Sequence, residues 1–364
     1  MHETLTSPKS LLEIKTLQDF DKNEMYKVYD NWPEIARQTY EKNHEAIDIK
    51  NISQIIFAGM GGSGAINDVF SSILSKTNIP SMSVKSHILP NSVTSDTLVV
   101  ITSITGNTGE TLSVLDSARR LGAKIIAFSS GGKIRDYCKE NSLEFRTAPM
   151  LNSPRSSYPS FLYTMIKVLE PVLQIKNSDI IESISSLEQT KKIICSSNLD
   201  ETNKSLELAH WITKIPLIYY PQGLRAAAIR FKNSLQENAK SHVMVEECGE
   251  ACHNGIVSWE VSSCVQPILL QGQDDHMKTK ERWKIFREYF DEKNIEYKEV
   301  FSVKGSLLSK LVNLTYMLDY TSIYRAIFSR IDPFPITSTE FVKQRLATFK
   351  FEKTKKNDIH SNLN

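Results

Sequence analysis

The first residues that suggest a chemical role form a glycine-rich loop, GMGGSG, at positions 59–64. An apolar run at 55–58 precedes this loop and an amphipathic stretch follows it, so the pattern predicts a strand, a tight turn and a helix. Such a turn directs backbone N–H groups and the positive end of a helix dipole at one point, which suits a phosphate. Gly59, Gly61 and Gly64 also match the GxGxxG spacing of dinucleotide-binding loops. A dinucleotide and a sugar phosphate are therefore both candidate ligands at this point.

A second loop carries an unusual density of hydroxyl and amide side chains. Ser103, Thr105, Asn107 and Thr108 follow an apolar run at 97–101 and come just before a helical stretch. Asn107 or Thr108 is expected to cap that helix, and Glu110 would lie in its first turn, where the helix dipole favours an acid. One cap needs only one side chain, and this loop supplies four. We therefore predict that its hydroxyl and N–H groups form a cradle for a phosphate dianion.

The dinucleotide interpretation requires an acid at the end of the second strand, about 20 residues after the glycines, to bind the ribose hydroxyls. Here the second predicted strand lies in SMSVKSHIL at 81–89, where Lys85, Ser86 and His87 follow its apolar run, and the segment contains no acid. Lys85 could in principle face a 2′-phosphate. The missing acid nevertheless weighs against a nicotinamide cofactor, and we do not predict one.

Composition and charge exclude several classes of function. The chain has 364 residues, 40% of them hydrophobic and 24% charged, and a formal net charge of +2. These values are typical of a globular protein with a sizeable core and give no reason to expect a nucleic-acid partner. No apolar run approaches the roughly 20 residues of a membrane helix, and the N-terminus lacks the pattern of a secretory signal. We therefore expect a cytoplasmic protein without a membrane partner.

The cysteines indicate reduced thiols and no metal site. The chain has an odd number of cysteines without close pairing, which favours a reducing compartment. They are Cys138, Cys195, Cys248, Cys252 and Cys264. Cys248, Cys252 and His253 have a CxxxCH spacing, but no second Cys/His pair lies nearby, and a structural zinc normally needs four ligands. We predict no metal.

The chain as a whole alternates between strand-like and helix-like segments. Apolar runs at 54–58, 81–85, 97–101 and 124–128 are separated by helical stretches, and a similar alternation resumes after residue 215. This pattern predicts an α/β fold in which each half is a parallel sheet flanked by helices. We expect the following division: a helical segment at 1–50, a first α/β subdomain at 51–175, a second at 176–350 and a polar tail at 351–364.

The hydroxyl-rich loop resembles a known motif. SITGNTGET at 103–111 is similar to the phosphosugar-binding motif of the SIS (sugar isomerase) domain, S-x-S-G-N-T-x-E-T, and GMGGSG resembles the first glycine loop of that fold. The resemblance implies two SIS-type α/β/α subdomains. It also implies that Ser103, Thr105 and Thr108 bind the phosphate of a sugar, with Gly62 and Ser63 beside them. Thr105 replaces the usual second serine and keeps its hydroxyl.

Motifs in the second half resemble those of the bifunctional phosphoglucose/phosphomannose isomerases of archaea and some bacteria. QENAK at 236–240, followed by HN at 253–254, implies that Glu237 is the proton-transfer base and that His253, from a partner subunit, assists ring opening. SPRSS at 153–157 resembles the segment that places an arginine, here Arg155, near the reacting carbons. TEFVKQRL at 339–346 resembles the closing helix, whose active-site lysine would be Lys343. The CGEAC segment before His253 departs from the family pattern.

The resemblance implies reversible isomerisation of glucose 6-phosphate and mannose 6-phosphate with fructose 6-phosphate through an enediol. It implies no cofactor, and a homodimer with active sites at the subunit interface. The main alternative is a non-catalytic SIS-domain sensor or regulator of sugar phosphates, which would need the cradle but not Glu237, His253 and Lys343 together. A glutamine-dependent amino-sugar synthase would usually carry an N-terminal cysteine nucleophile, and no cysteine precedes Cys138. A lone glutamate on a helix is most often solvated surface, so the functional interpretation of Glu237 depends on the motif.

Overall fold

The computed structural model describes residues 9–348. These residues form two compact units, the first ending at Pro333 and the second beginning at Phe334. The helices are α1 (Ile14–Phe20), α2 (Met25–Asp30), α3 (Trp32–Glu41), α4 (Gly61–Leu74), α5 (Gly109–Arg120), α6 (Gly132–Glu140), α7 (Tyr158–Leu173), α8 (Asn177–Ile194), α9 (Lys204–Trp211), α10 (Arg225–Asn238), α11 (Cys248–Ala251), α12 (Met277–Glu292), α13 (Leu307–Phe328) and α14 (Thr337–Thr348). The strands are β1 (Gln54–Ala58), β2 (Ser81–Val84), β3 (Thr97–Thr102), β4 (Lys124–Ser129), β5 (Glu144–Thr147), β6 (Ile215–Tyr220), β7 (Met244–Glu247), β8 (Val265–Gln271) and β9 (Lys298–Phe301).

The first sheet contains five parallel strands in the order β2-β1-β3-β4-β5. Its central strand β3 is buried along its whole length, as expected for a parallel strand covered on both faces. The sequence pattern did not predict β5. This edge strand reads EFRT, and its first and last residues are exposed, so it lacks the apolar run by which the other strands were found.

The second sheet repeats this arrangement with four parallel strands in the order β7-β6-β8-β9. In both sheets the first strand of the sequence lies inside and the second lies at the edge, so the two halves share a doubly wound topology. The predicted α/β class, with two parallel sheets flanked by helices, is confirmed.

Helices cover the sheets and join the two halves. One core cluster packs α5 and α6 against the first sheet, and another packs α11 and α12 against the second. α4, which follows β1, contacts α10, which follows β6. α10 also packs along α13. The end of α10 therefore lies in a helical layer shared by both halves.

The N-terminal helices are packed into this layer by aromatic side chains. Trp32 of α3 is fully buried and stacks on Tyr29, Tyr158 and Tyr316, with ring centroids 4.7, 5.6 and 5.5 Å apart. Its Nε1 donates a hydrogen bond of 3.2 Å to the carbonyl oxygen of Ser156. The N-terminal segment, for which the sequence suggested no role, thus contacts the chain at 153–157.

Within residues 9–348, none of the helices combines the length and the apolar character that crossing a membrane would require.

Candidate active site

The two predicted phosphate loops meet at the switch point of the first sheet. β1 and β3 are neighbours, and the chain leaves them towards opposite sides of the sheet, to β2 and to β4. In such folds a crevice opens at the carboxyl ends of these two strands, where ligands bind. The loop at 59–64 follows β1 and the loop at 103–108 follows β3, so both begin at this crevice.

Close backbone approach and one hydrogen bond join the two loops. A Cβ atom at Gly59 would lie 2.6 Å from the carbonyl oxygen of Thr102, so a side chain does not fit there. Ser63 is buried, and its Oγ accepts a hydrogen bond of 3.2 Å from the N–H of Ile104. A Cβ at Gly62 would lie 3.7 Å from Nη1 of Arg230, so the glycine loop borders the helical layer.

The hydroxyl groups of the second loop face one another. Ser103 Oγ and Thr108 Oγ1 share a hydrogen bond of 3.1 Å. Thr108 occupies the N-cap position of α5, but its side chain makes no capping bond, and Asn107 Oδ1 instead accepts a hydrogen bond from the N–H of Lys133 at 3.2 Å. The prediction that either side chain caps α5 is therefore wrong, because each is engaged elsewhere. Thr105, half-buried, accepts a bond of 3.4 Å from the N–H of Asn107.

The second loop is held against the loop that follows β4. Gly106 has φ of +70°, and a Cβ there would lie 1.8 Å from the carbonyl oxygen of Gly131, so glycine is required. Ser130 donates through Oγ to the carbonyl oxygen of Ile104 at 2.7 Å. The residues of this loop are thus fixed by backbone contacts as well as by their own side chains.

Lys85 is engaged in a structural ion pair. Its ammonium binds the buried carboxylate of Asp68 on α4. This pairing accounts for the lysine at the end of β2 without a 2′-phosphate.

Arg155 lies at the centre of a second group of site residues. It precedes α7 and is only 4% exposed. Its Nε donates to Oδ1 of Asn238 and its Nη2 to the carbonyl oxygen of Pro333, both at 2.7 Å. Its Nη2 also lies 3.6 Å from Sδ of Met25, and its Nη1 lies 3.7 Å from Oε2 of Glu237. These contacts hold the guanidinium in one orientation beside the Glu237 carboxylate.

A buried ion pair between α10 and α13 supports this group. Arg230 and Asp319 are 3% and 0% exposed, and the Arg230 guanidinium binds both carboxylate oxygens at 2.6 to 3.1 Å. Nη2 of Arg230 also donates to the carbonyl oxygen of Arg155 at 2.7 Å. Ser234 donates its hydroxyl hydrogen to the same Asp319 carboxylate. The pair therefore positions the backbone of the segment that carries Arg155.

The spacing of these residues along α10 explains their convergence. Arg230, Ser234 and Asn238 are separated by four residues each, so they lie on one face of the helix, towards α13. Asn238 donates through Nδ2 to Oγ of Ser322 at 2.8 Å. The sequence analysis did not single out Arg230, Asp319 or Asn238. The i, i+4, i+8 spacing of polar residues on an otherwise apolar helix face was the available signal.

Glu237 differs from its neighbours on α10 in exposure. Its side chain is 34% exposed, whereas Asn238 is fully buried. α10 ends at Asn238, so Glu237 lies in the last turn. The carboxylate therefore contacts a fixed guanidinium while remaining accessible to a ligand.

Two family models match the two halves of the chain. The model described as "SIS domain" matches residues 48–159, and that described as "Bacterial phospho-glucose isomerase C-terminal SIS domain" matches residues 201–346. A bifunctional phosphoglucose/phosphomannose isomerase of Caldicellulosiruptor bescii is 30% identical over 345 residues, which cover 90% of this chain and 100% of that protein. The chain belongs to the bifunctional phosphoglucose/phosphomannose isomerase family.

Two further proteins are similar to this chain, one in sequence and one in fold. A D-glucosamine-6-phosphate 4-epimerase of Sulfolobus acidocaldarius is 27% identical over 234 residues, 64% of this chain and 72% of its own. A hypothetical protein of Thermus thermophilus shares the fold, with a TM-score of 0.69 and 13% identity over 92% of this chain and 93% of its own. The resemblance to the phosphoglucose/phosphomannose isomerases is confirmed by the Caldicellulosiruptor bescii relative over 90% of this chain.

The other two residues implied by that family resemblance lie on separate elements. His253 is exposed on the turn after α11, and its imidazole makes no hydrogen bond or ion pair within the part of the chain that the structure describes. The CGEA segment before it forms α11, whose Cys248 and Ala251 pack into the core of the second sheet. Lys343 lies on α14, in the second compact unit.

The cysteines near His253 are engaged in local contacts. Sγ of Cys252 donates to the carbonyl oxygen of Cys248 at 3.1 Å, and burial raises the pKa of the Cys248 thiol. Across residues 9–348, no three His, Cys, Asp or Glu side chains are grouped as metal ligands would be.

Proposed function

We propose that this protein reversibly isomerises glucose 6-phosphate and mannose 6-phosphate to fructose 6-phosphate through an enediol intermediate. The observation that carries this proposal is the accessible Glu237 carboxylate, 3.7 Å from the buried guanidinium of Arg155. A base can remove the proton in enediol formation, and an immobile cation can stabilise the negative charge that develops. The similarity to the bifunctional phosphoglucose/phosphomannose isomerase of Caldicellulosiruptor bescii supports the same reaction.

The proton transfer would be performed by one carboxylate. Glu237 would take the proton from one of the two carbons, C1 or C2, and return it to the other, while the hydroxyl proton moves from the oxygen of the first carbon to that of the second. Negative charge then develops on the enediolate oxygen, and Arg155 would stabilise it through the positive charge of its guanidinium. An arginine suits this role because it stays protonated and is held rigidly.

The phosphate of the substrate would occupy the cradle formed by the two loops of the first sheet. Ser103, Thr105 and Thr108 would donate their hydroxyl hydrogens, and Gly62 and Ser63 would border the phosphate. The proximity of Ser103 Oγ and Thr108 Oγ1, 3.1 Å apart, supports this role because both hydroxyls could bind one phosphate, whose oxygens would then replace their mutual hydrogen bond. Binding energy from the phosphate would then orient the distant reacting carbons.

Ring opening is assigned to His253 and Lys343, and we propose that His253 acts across the interface of a homodimer. A histidine can donate and accept a proton near neutral pH, which ring opening requires. The exposed imidazole of His253, which makes no side-chain bond within the described residues of its own chain, supports a role towards a second subunit.

Specificity for two sugars follows from the intermediate. Glucose and mannose 6-phosphates differ only at C2, and both give the same enediol and the same ketose. A site that allows rotation about the C2–C3 bond would therefore serve both. The proposed reaction needs neither a metal nor a redox cofactor, and a cytoplasmic location would match its substrates.

The test is turnover of fructose 6-phosphate in the presence of EDTA, with glucose 6-phosphate and mannose 6-phosphate quantified separately. We expect both products from the wild type and at least a loss of about 1000-fold in Glu237→Gln, since removing a general base costs about 10²–10⁴-fold and Glu237 serves twice. Glu281→Gln, on the exposed face of α12, is the matched control and should retain full activity.

Three outcomes would change the conclusion. Formation of glucose 6-phosphate alone would remove the dual specificity. Binding of fructose 6-phosphate without turnover would identify a sensor or regulator instead. Turnover of glucosamine 6-phosphate but not of fructose 6-phosphate would place the activity with that of the Sulfolobus acidocaldarius relative.

Subunit complementation tests the shared site. Glu237→Gln and His253→Gln homodimers should each be inactive. After subunit exchange at equal amounts, half of the dimers are mixed and each has one intact site, so about one quarter of wild-type activity should return. If no activity returns although mass spectrometry detects the mixed dimer, His253 does not act across the interface.

A further inference from the structure

Lys240 occupies a central position that the proposed mechanism does not use. It lies two residues beyond the end of α10, and its Nζ is within hydrogen-bonding distance of four backbone carbonyl oxygens. These belong to Glu237 at 2.7 Å, Asn238 at 3.3 Å, Asp332 at 3.2 Å and Pro333 at 3.3 Å. The ammonium therefore joins the last turn of α10 to the turn at 332–333.

The backbone at Lys240 does not itself favour a lysine. Its φ is +54°, in the left-handed region, where a residue with a Cβ is strained by about 1–2 kcal/mol. Helices that end this way usually place glycine at such a position. The presence of a lysine at this position must therefore be explained by the contacts of its side chain.

The ammonium satisfies carbonyl groups that the helix leaves unpaired. The last four C=O groups of a helix have no partner within it, and Lys240 donates to two of them, at Glu237 and Asn238. Burial, and then the charge of Arg155, lower the pKa of Lys240 to about 8. At neutral pH the protonated form, which can donate these bonds, therefore still predominates.

Lys240 and Arg155 bind the same acceptor. Nη2 of Arg155 donates to the carbonyl oxygen of Pro333 at 2.7 Å, and Nζ of Lys240 approaches the same atom. Arg155 is also bonded to Asn238, the residue next to Glu237. Both cations therefore connect the end of α10 to the 332–333 turn. The Glu237–Arg155 contact lies among these bonds.

We propose that Lys240 is a positioning residue, which fixes the Glu237 carboxylate and the Arg155 guanidinium at the separation that proton transfer requires. This inference rests on the proposed function of Glu237. Lys240 does not touch the reacting atoms in this scheme. It acts through the backbone of α10 and through the shared carbonyl oxygen of Pro333.

Three variants separate positioning from folding. Lys240→Met keeps the length of the side chain and removes the donors, Lys240→Gly relieves the backbone strain as well, and Lys240→Arg keeps the charge. We expect kcat to fall about 10- to 100-fold in the Met and Gly variants, since misplacing catalytic groups by about 1 Å costs up to 100-fold. KM should stay within about threefold, because the bonds of Lys240 go to carbonyl oxygens at 237–238 and 332–333 and to none of the cradle residues. Lys240→Arg should recover part of the lost kcat.

The Gly variant provides the sharper comparison. Relief of strain and loss of the ammonium bonds oppose each other, so its urea midpoint should stay near that of the wild type while kcat falls. A purely structural lysine would leave kcat unchanged in every variant that folds. Lys232→Met, on an earlier turn of α10, is the matched control and should behave as wild type. Wild-type kcat in both the Met and Gly variants would overturn the proposal.

Crystal structures distinguish failure of this inference from failure of the proposed function. If the wild type does not isomerise sugar phosphates, the proposed function fails and kinetics cannot judge Lys240. The structures of wild type and Lys240→Met then decide: a shift of about 1 Å in the Glu237 carboxylate and in the 332–333 turn supports the positioning role. Superimposable positions would overturn it, whatever the reaction.

Discussion

Asp319→Asn removes the charge that neutralises Arg230 between α10 and α13. Both side chains are buried, with Asp319 0% and Arg230 3% exposed, and the guanidinium binds both carboxylate oxygens. The asparagine has nearly the same shape, so no cavity forms. What remains is an arginine without its counter-charge, inside the layer that holds the Arg155 backbone.

The magnitude follows from this burial. Breaking a buried ion pair by removing one partner costs about 3–5 kcal/mol, chiefly because the remaining charge is desolvated without compensation. That is a large part of the roughly 5–15 kcal/mol that stabilises a typical protein. Glu281→Gln breaks an exposed pair with Lys278 and should cost less than about 1 kcal/mol.

The assay is urea unfolding followed by circular dichroism at pH 7, with Arg230→Met and the double variant completing a thermodynamic cycle. The double variant should be more stable than the sum of the two single losses predicts, by about 0.5–3 kcal/mol, because no unpaired charge is left. A loss below about 1 kcal/mol in Asp319→Asn, or strictly additive losses in the cycle, would refute the reasoning.

Three further predictions concern the cradle, the N-terminal helices and the thiols. Thr108→Val should weaken fructose 6-phosphate binding about 10- to 100-fold by calorimetry, since a hydrogen bond to a charged group contributes about 1.5–3 kcal/mol; unchanged affinity would remove Thr108 from the cradle. Trp32→Phe loses the donor to the Ser156 carbonyl and leaves a cavity beside the aromatic stack, so the free energy of unfolding should fall by at least about 1 kcal/mol; no change in urea unfolding would contradict this. Burial raises the pKa of Cys138 to about 11, so at pH 8 this thiol is almost entirely protonated. Iodoacetamide should therefore modify the exposed Cys264 in minutes and Cys138 only after unfolding, and early modification of Cys138 by mass spectrometry would contradict its burial.

Local sequence patterns determined the fold class and the position of the two candidate phosphate loops. The strands of a parallel sheet are buried on both faces, so they read as continuous apolar runs, and β1, β3 and β4 were found in this way. The loops after β1 and β3 carry the glycines and hydroxyls, and adjacent parallel strands bring these loops to one edge. Glu237 and Arg155 were named from motif resemblance, and the structure brings the two side chains together.

Only the tertiary structure revealed how these residues are held. Arg230 bonds to Asp319, 89 positions away, and Lys240 to Pro333, 93 positions away. Neither pair has a local pattern, because the partners meet only when α10 packs along α13 and the 332–333 turn closes over its end. The same limit explains why the cap by Thr108 was predicted wrongly. Its hydroxyl could bind either the N–H groups at the start of α5 or Ser103, and the sequence does not decide between the two. Residue spacing determines which side chains share a face, but the choice among partners depends on which of them the packed chain brings within about 3 Å.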